Sequence, residues 1–227
     1  MRNPVLDAAF LASAATALEF ASVAVFAVTG ALVASRKQMD IFGFALLATV
    51  TGVGGGTVRD LLIGKLPVFW VVEPAYVLIC LVVSTVVYFT AHIPQSRYRV
   101  ILWLDAVGLA LVAVVGAQKA LAVGTTPFIA VVMGVITAVF GGIIRDVLGG
   151  ESPVILRREI YVIPAIISAS VLVVLLGLGA SDVVAAVSGF AAGFLVRALA
   201  LAYRWSLPAY RARPGKDYSD EFLHDHD

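Results

Sequence analysis

The sequence predicts an all-α polytopic membrane protein, with seven transmembrane helices arranged as two inverted three-helix repeats plus a seventh helix. Three observations predict it: the composition, the apolar runs of about twenty residues that a bilayer core requires, and a match of the chain to itself. Of 227 residues, 61% are hydrophobic and 14% charged, with a mean hydropathy of +0.99. An average soluble domain is about half apolar and a quarter charged. A soluble enzyme is therefore excluded. An outer-membrane barrel is excluded too, because its strands alternate polar and apolar residues. The net charge of +1 offers no basic patch to a nucleic acid. The single cysteine, Cys80, lies in an apolar run and cannot form an intrachain disulfide. No cleaved signal peptide is expected, since no basic cluster precedes the first apolar run.

Apolar runs ended by charge, Pro or Gly place the spans at Leu11–Ala34, Ile41–Ile63, Pro74–Ala91, Val100–Ala122, Pro127–Leu148, Ile160–Leu178 and Asp182–Ala202. Asp40 precedes the second span as an N-cap, Thr126-Pro127 opens the fifth, and Ser181-Asp182 opens the seventh; these are helix-entry residues. At the third span, Glu73-Pro74 reads either as a first turn or as the end of a loop. With the N-terminus outside, the cytoplasmic segments hold Arg36, Lys37, Arg97, Arg99, Arg157, Arg158, Arg204, Arg211, Arg213 and Lys216, whereas the other side holds Arg2, Lys65 and Lys119. Ten against three predicts an outside N-terminus and a cytoplasmic C-terminus. Residues 203–227 turn basic and then acidic, and are expected to be a disordered cytoplasmic tail. His224 and His226 in that tail, with only His92 elsewhere, do not converge as metal ligands should.

Shifted by 86 residues, Thr51–Val68 falls on Thr137–Val154, with ten of eighteen pairs identical. The identities include Gly-Gly, Arg-Asp and Pro. The same offset places Glu19 on Asp105 and Gly30 on Gly116. Residues 11–91 and 100–178 are thus two copies of a three-span unit, and 182–202 stands outside the duplication. An odd number of spans per copy makes the second enter the membrane from the opposite side. Solute-moving proteins use that architecture, with sites at the repeat interface and often at broken helices.

Gly54, Gly55 and Gly56 in the second span and Gly141 and Gly142 in the fifth allow either a bend that lines a pathway or close helix packing; their duplication favours the bend. No strand precedes them, so a nucleotide-binding loop is excluded, and a tetrameric potassium-channel filter would need a Tyr-Gly ending. Arg59-Asp60 and Arg145-Asp146 follow one turn later. Because adjacent residues on a helix point in different directions, each arginine is expected to bond a partner elsewhere. Snorkelling at a helix end is the alternative, less open to the shorter aspartates. Glu19 and Asp105 lie inside spans, where an acid costs about 2.5–3.5 kcal/mol on insertion scales, so both should face protein or water. Lys119 is expected to snorkel. Gly189 and Gly193 in the seventh span serve either an oligomer contact or intrachain packing.

The doubled Gly-Gly-x-x-Arg-Asp-x-x-x-Gly-x-x-Pro pattern, on three spans per copy with a seventh appended, resembles the prokaryotic branch of the trimeric intracellular cation (TRIC) channel family. It is similar as well to the glycine-transporter-like (UPF0126-type) domain of small bacterial membrane proteins. The resemblance covers about Leu11 to Ala202. It implies a homotrimer in the inner membrane with a pore in every subunit, bent at the glycines, passing potassium and other monovalent cations such as sodium. Gly54, Gly55, Gly56, Arg59 and Asp60 carry the pattern in the first copy, and Gly141, Gly142, Arg145 and Asp146 in the second. The second copy departs from the triple glycine at Phe140, which on the pathway could close it by dewetting. No cofactor and no bound metal other than the permeating cation is expected. A secondary transporter of a small solute such as glycine is the rival reading. An intramembrane enzyme is disfavoured by the lack of a nucleophile–base pair in any span.

Overall fold

The computed structural model describes residues 4–93, 96–156 and 159–208, with side chains from residue 16 onward. Among these residues the chain is helical throughout: α1 (Pro4–Arg36), α2 (Ile41–Leu62), a one-turn α3 (Phe69–Val72), α4 (Ala75–Thr90), α5 (Arg97–Ala122), α6 (Pro127–Leu148), a 3-10 turn at Val154–Leu156, α7 (Val162–Gly177) and α8 (Asp182–Tyr203). Local chemistry sets the boundaries. Asp40 accepts from the Gly43 N–H at 2.8 Å, Ser96 caps α5, Thr126 caps α6 ahead of Pro127, and Ser181 caps α8. At the C-termini of α2 and α6, Gly64 (φ 70°) and Gly150 (φ 63°) take the left-handed conformation. The following N–H groups of Lys65 and Glu151 then return to Asp60 O and Asp146 O, both at 2.8 Å, which satisfies carbonyls that a helix end leaves open.

Among the described residues, five helices are long and apolar enough to cross a membrane: residues 16–36 of α1, α2, α5, α6 and α8. The third and sixth expected spans are shorter than the sequence suggests. α4 and α7 have sixteen residues each, about 24 Å at 1.5 Å per residue, less than the roughly 30 Å hydrocarbon core. Each is preceded by a short helical turn, α3 or Val154–Leu156. Glu73-Pro74 proves to be the joint between α3 and α4. Residues 209–227, with His224 and His226, lie outside the described residues.

Packing follows the duplication. One apolar core, including Ala27, Leu47 and Cys80, joins α1, α2 and α4. A second, including Leu109, Ala138 and Ala165, joins α5, α6 and α7. α8 lies against α5 and α7 over Val114, Leu172 and Ala185. The two halves meet where α1 touches α5 and α2 touches α6. Gly189 and Gly193 settle on intrachain packing: a Cβ on Gly189 would lie 2.7 Å from Ser168 O, and one on Gly193 2.6 Å from Pro164 O, both on α7.

Candidate functional site: a glycine crossing between two buried charge clusters

Helices α2 and α6 cross with their backbones almost touching. A Cβ on Gly55 would collide with Thr137 O, and a Cβ on Gly141 would sit 2.8 Å from Thr51 O. The contacts are reciprocal at the 86-residue offset, and they run antiparallel, 55 to 137 and 51 to 141. A two-fold axis between the helices produces a contact of this form. Matched contacts repeat behind the crossing. A Cβ on Gly30 would meet Thr51 Oγ1 at 2.6 Å, and one on Gly116 would meet Thr137 Oγ1 at 2.7 Å. Each threonine is fixed by donating its hydroxyl one turn back, to Leu47 O or Met133 O. Both helices run unbroken through their glycines. Lacking a Cβ, the glycines here permit close approach of the two backbones. Gly54 is buried against Ile144, Gly56 against Phe69 and Gly142 against the Tyr161 hydroxyl, whereas Phe140, at the position equivalent to Gly54, is 37% exposed.

The Arg-Asp pairs flank the crossing, and each arginine turns back on its neighbour; this corrects the expectation of a partner elsewhere for Arg59, whereas Arg145 meets it as well, through Asp105 and Thr29. Arg59 turns back on Asp60, giving Nε and Nη2 bonds to Oδ1 at 2.9 and 2.7 Å. Arg145 does the same to Asp146 Oδ1 through Nε at 2.9 Å. A guanidinium on three methylenes can wrap around the helix, so the directions of the two Cβ atoms do not decide the pairing. The second carboxylate oxygen has the same task in each copy. Asp60 Oδ2 accepts from Phe69 N at 2.9 Å, and Asp146 Oδ2 accepts from Val154 N at 3.0 Å. Both aspartates thus anchor the chain where it starts the short turn ahead of the third helix of the repeat.

Beyond that shared frame the copies diverge. In the second, Arg145 Nη1 also donates to Asp105 Oδ1 at 2.8 Å and to Thr29 Oγ1 of α1 at 3.1 Å. Asp105, Arg145 and Asp146 are 1%, 2% and 3% exposed. Asp105 Oδ2 and the Tyr161 hydroxyl, both buried near Gly142, have no protein partner. In the first copy Glu19, the counterpart of Asp105, leaves Arg59 alone and crosses to the other half. It binds Lys119 Nζ of α5 at 2.7 Å and accepts from the Tyr76 hydroxyl. Lys119 is thus held in an ion pair over the Phe69 ring, which corrects the expectation that it snorkels. Formal charges in the first cluster cancel: Glu19 and Asp60 against Arg59 and Lys119. The second has two acids, Asp105 and Asp146, for one base, Arg145. Its formal charges sum to minus one.

Sequence reading missed Arg197. It lies inside α8, is fully buried, and donates to Ile160 O at 2.9 Å and Glu159 Oε2 at 3.0 Å. A charged residue within a span was the signal available. Tyr76 and Tyr161, which close the two clusters, carried no such signal.

The model of a family described as glycine transporter matches twice, over residues 16–92 and 102–177, one match on each copy. A UPF0126 membrane protein of Vibrio cholerae is 38% identical over 197 residues, 85% of this chain and 81% of its own. The UPF0126 inner membrane protein YadS of Escherichia coli K12 is 40% identical over 155 residues, 68% of this chain and 75% of its own. Among solved structures, a TRIC trimeric intracellular cation channel orthologue from Rhodobacter sphaeroides superposes with a TM-score of 0.83 at 60% identity, over 85% of this chain and all of that one. A prokaryotic TRIC channel crystallised in 0.5 M KCl gives 0.79 at 30% identity, over 86% and 99%. With both copies matched and the helices superposing on these channels, the chain belongs to the TRIC channel family, as a multi-pass membrane protein with a duplicated UPF0126 unit.

Proposed function

We propose that this protein is a passive channel for monovalent cations, potassium and sodium, with one pore inside each subunit of a homotrimer. In this reading seven helices span the inner membrane, with the N-terminus outside and the C-terminus cytoplasmic. Residues 11–91 and 100–178 are inverted repeats, and 182–202 forms the seventh span. The pathway follows α2 and α6 beside their crossing, and Phe140 narrows it. The observation that carries the reading is the excess negative charge of the Asp105–Arg145–Asp146 cluster, buried between helices of membrane-crossing length. A charge in that low-dielectric setting acts strongly on a partly dehydrated ion. The similarity to solved cation channels supports it from outside.

The test is a planar-bilayer recording of purified protein in potassium chloride. Unitary current steps that do not depend on glycine are expected. A step-free flux that saturates with glycine would replace the channel by a carrier.

A further inference from the structure

A cavity of about 850 Å³ opens between the first turns of α5 and the last turn of α8, away from the glycine crossing. Three arginines line it: Arg99, Arg197 and Arg204. Glu159 is the acid among the lining residues, and Arg197 holds it at 3.0 Å. Two positive charges remain, on Arg99 and Arg204. Arg197 itself is fully buried and lines the cavity with its Nε unpartnered.

The surroundings choose the anion. Trp103, Trp205 and Tyr98 are 41%, 46% and 37% exposed along the same rim, and Trp and Tyr collect at the level of lipid headgroups. Leu102 and Leu201 give the cavity an apolar wall, suited to glycerol and the first acyl carbons. Arg36 pairs with Glu151, and Glu159 bridges to Ser206, so the loops joined here all belong to the side that the charge bias assigns to the cytoplasm. Basic pockets between helices on that side take anionic headgroups.

We propose that this cavity binds the phosphate headgroup of an anionic phospholipid. Binding does not depend on ion conduction, so its test is separate from that of the channel. The purified protein in neutral detergent is titrated with dioleoylphosphatidylglycerol or dioleoylphosphatidylcholine, and bound lipid is counted by native mass spectrometry. Phosphatidylglycerol should bind at least tenfold more tightly than phosphatidylcholine. The Arg99→Gln/Arg204→Gln double variant, altered only at exposed side chains, should lose that preference tenfold at an unchanged melting temperature. Arg99→Lys/Arg204→Lys should restore most of it, and Lys37→Gln on the same side, beside Glu151 at 4.0 Å, should leave it intact. Equal binding of the two lipids, or an unchanged preference in the double Gln variant, would overturn the proposal. Displacement of phosphatidylglycerol by millimolar glycerol phosphate would show a site for a soluble phosphate, and would overturn it equally.

Discussion

Replacing Gly55 by alanine tests whether the α2–α6 crossing holds the two halves together. The added Cβ would overlap Thr137 O. Because that oxygen is backbone, relief requires the helices to move apart. A radial gap of 0.5–1 Å forfeits about a quarter to a half of each lost van der Waals contact, and overpacking costs typically about 1–3 kcal/mol. Gly55 sits at the tightest point, so the cost should reach about 3 kcal/mol, which for a chain of this length corresponds to a melting shift of roughly 6–12 °C. Gly141→Ala, whose Cβ would lie 2.8 Å from Thr51 O, should cost less. Gly54→Ala should cost least, since it meets only the end of the Ile144 side chain, at 3.0 Å. Fluorescence-detected size-exclusion thermal melts of detergent-purified variants measure the order. Equal melting of the three alanine variants, or a Gly55→Ala melt indistinguishable from the parent, would refute the reasoning.

Three further outcomes are expected. Arg145→Gln strands two buried acids, Asp105 and Asp146, and should cost about 3–5 kcal/mol, seen as lost folded yield or a collapsed melting temperature. Glu19 and Lys119, each 18% exposed at the side chain, should show a coupling on the order of 1 kcal/mol in a double-mutant cycle with Glu19→Gln and Lys119→Gln, and additive variants would remove the bridge between halves. Ser219→Cys in a Cys80→Ala background should resist impermeant thiol reagents in intact cells and react after lysis, as the ten-to-three charge bias requires; labelling of intact cells would reverse the orientation.

Much of this arrangement is legible in the sequence, because bilayer solvation acts on composition. The boundaries of α2, α6 and α8 follow from capping residues within one residue of the observed ends, and the 86-residue repeat carries the paired glycines, threonines and Arg-Asp dipeptides together. What is lost is the direction in which long side chains turn. Arg59 and Arg145 fold back on Oδ1 of the adjacent aspartates, whose other oxygen is held by the loop N–H groups of Phe69 and Val154. Those partners are eight or nine residues away, beyond any helical periodicity. Lys119 finds Glu19 across the halves, a pairing that the duplication alone hides, since position 33, which matches Lys119, is a valine. The glycines permit a bend and close packing alike in the sequence, and the close approach depends on where the carbonyls of Thr51 and Thr137 lie.

The claim that Asp105 supplies the charge favouring cations is tested most directly by the reversal potential in a tenfold potassium chloride gradient. The parent should reverse on the cation side, towards the limit of about 59 mV for a singly charged ion. Asp105→Asn keeps an oxygen acceptor for Arg145 while cancelling the excess charge, and should move the reversal towards zero. Asp60→Asn and Asp146→Asn, altered at loop anchors, should lower the melting temperature and move the reversal less than Asp105→Asn does. An anion-side reversal in the parent, or an Asp105→Asn potential equal to the parent's while either anchor variant shifts it, would contradict the account.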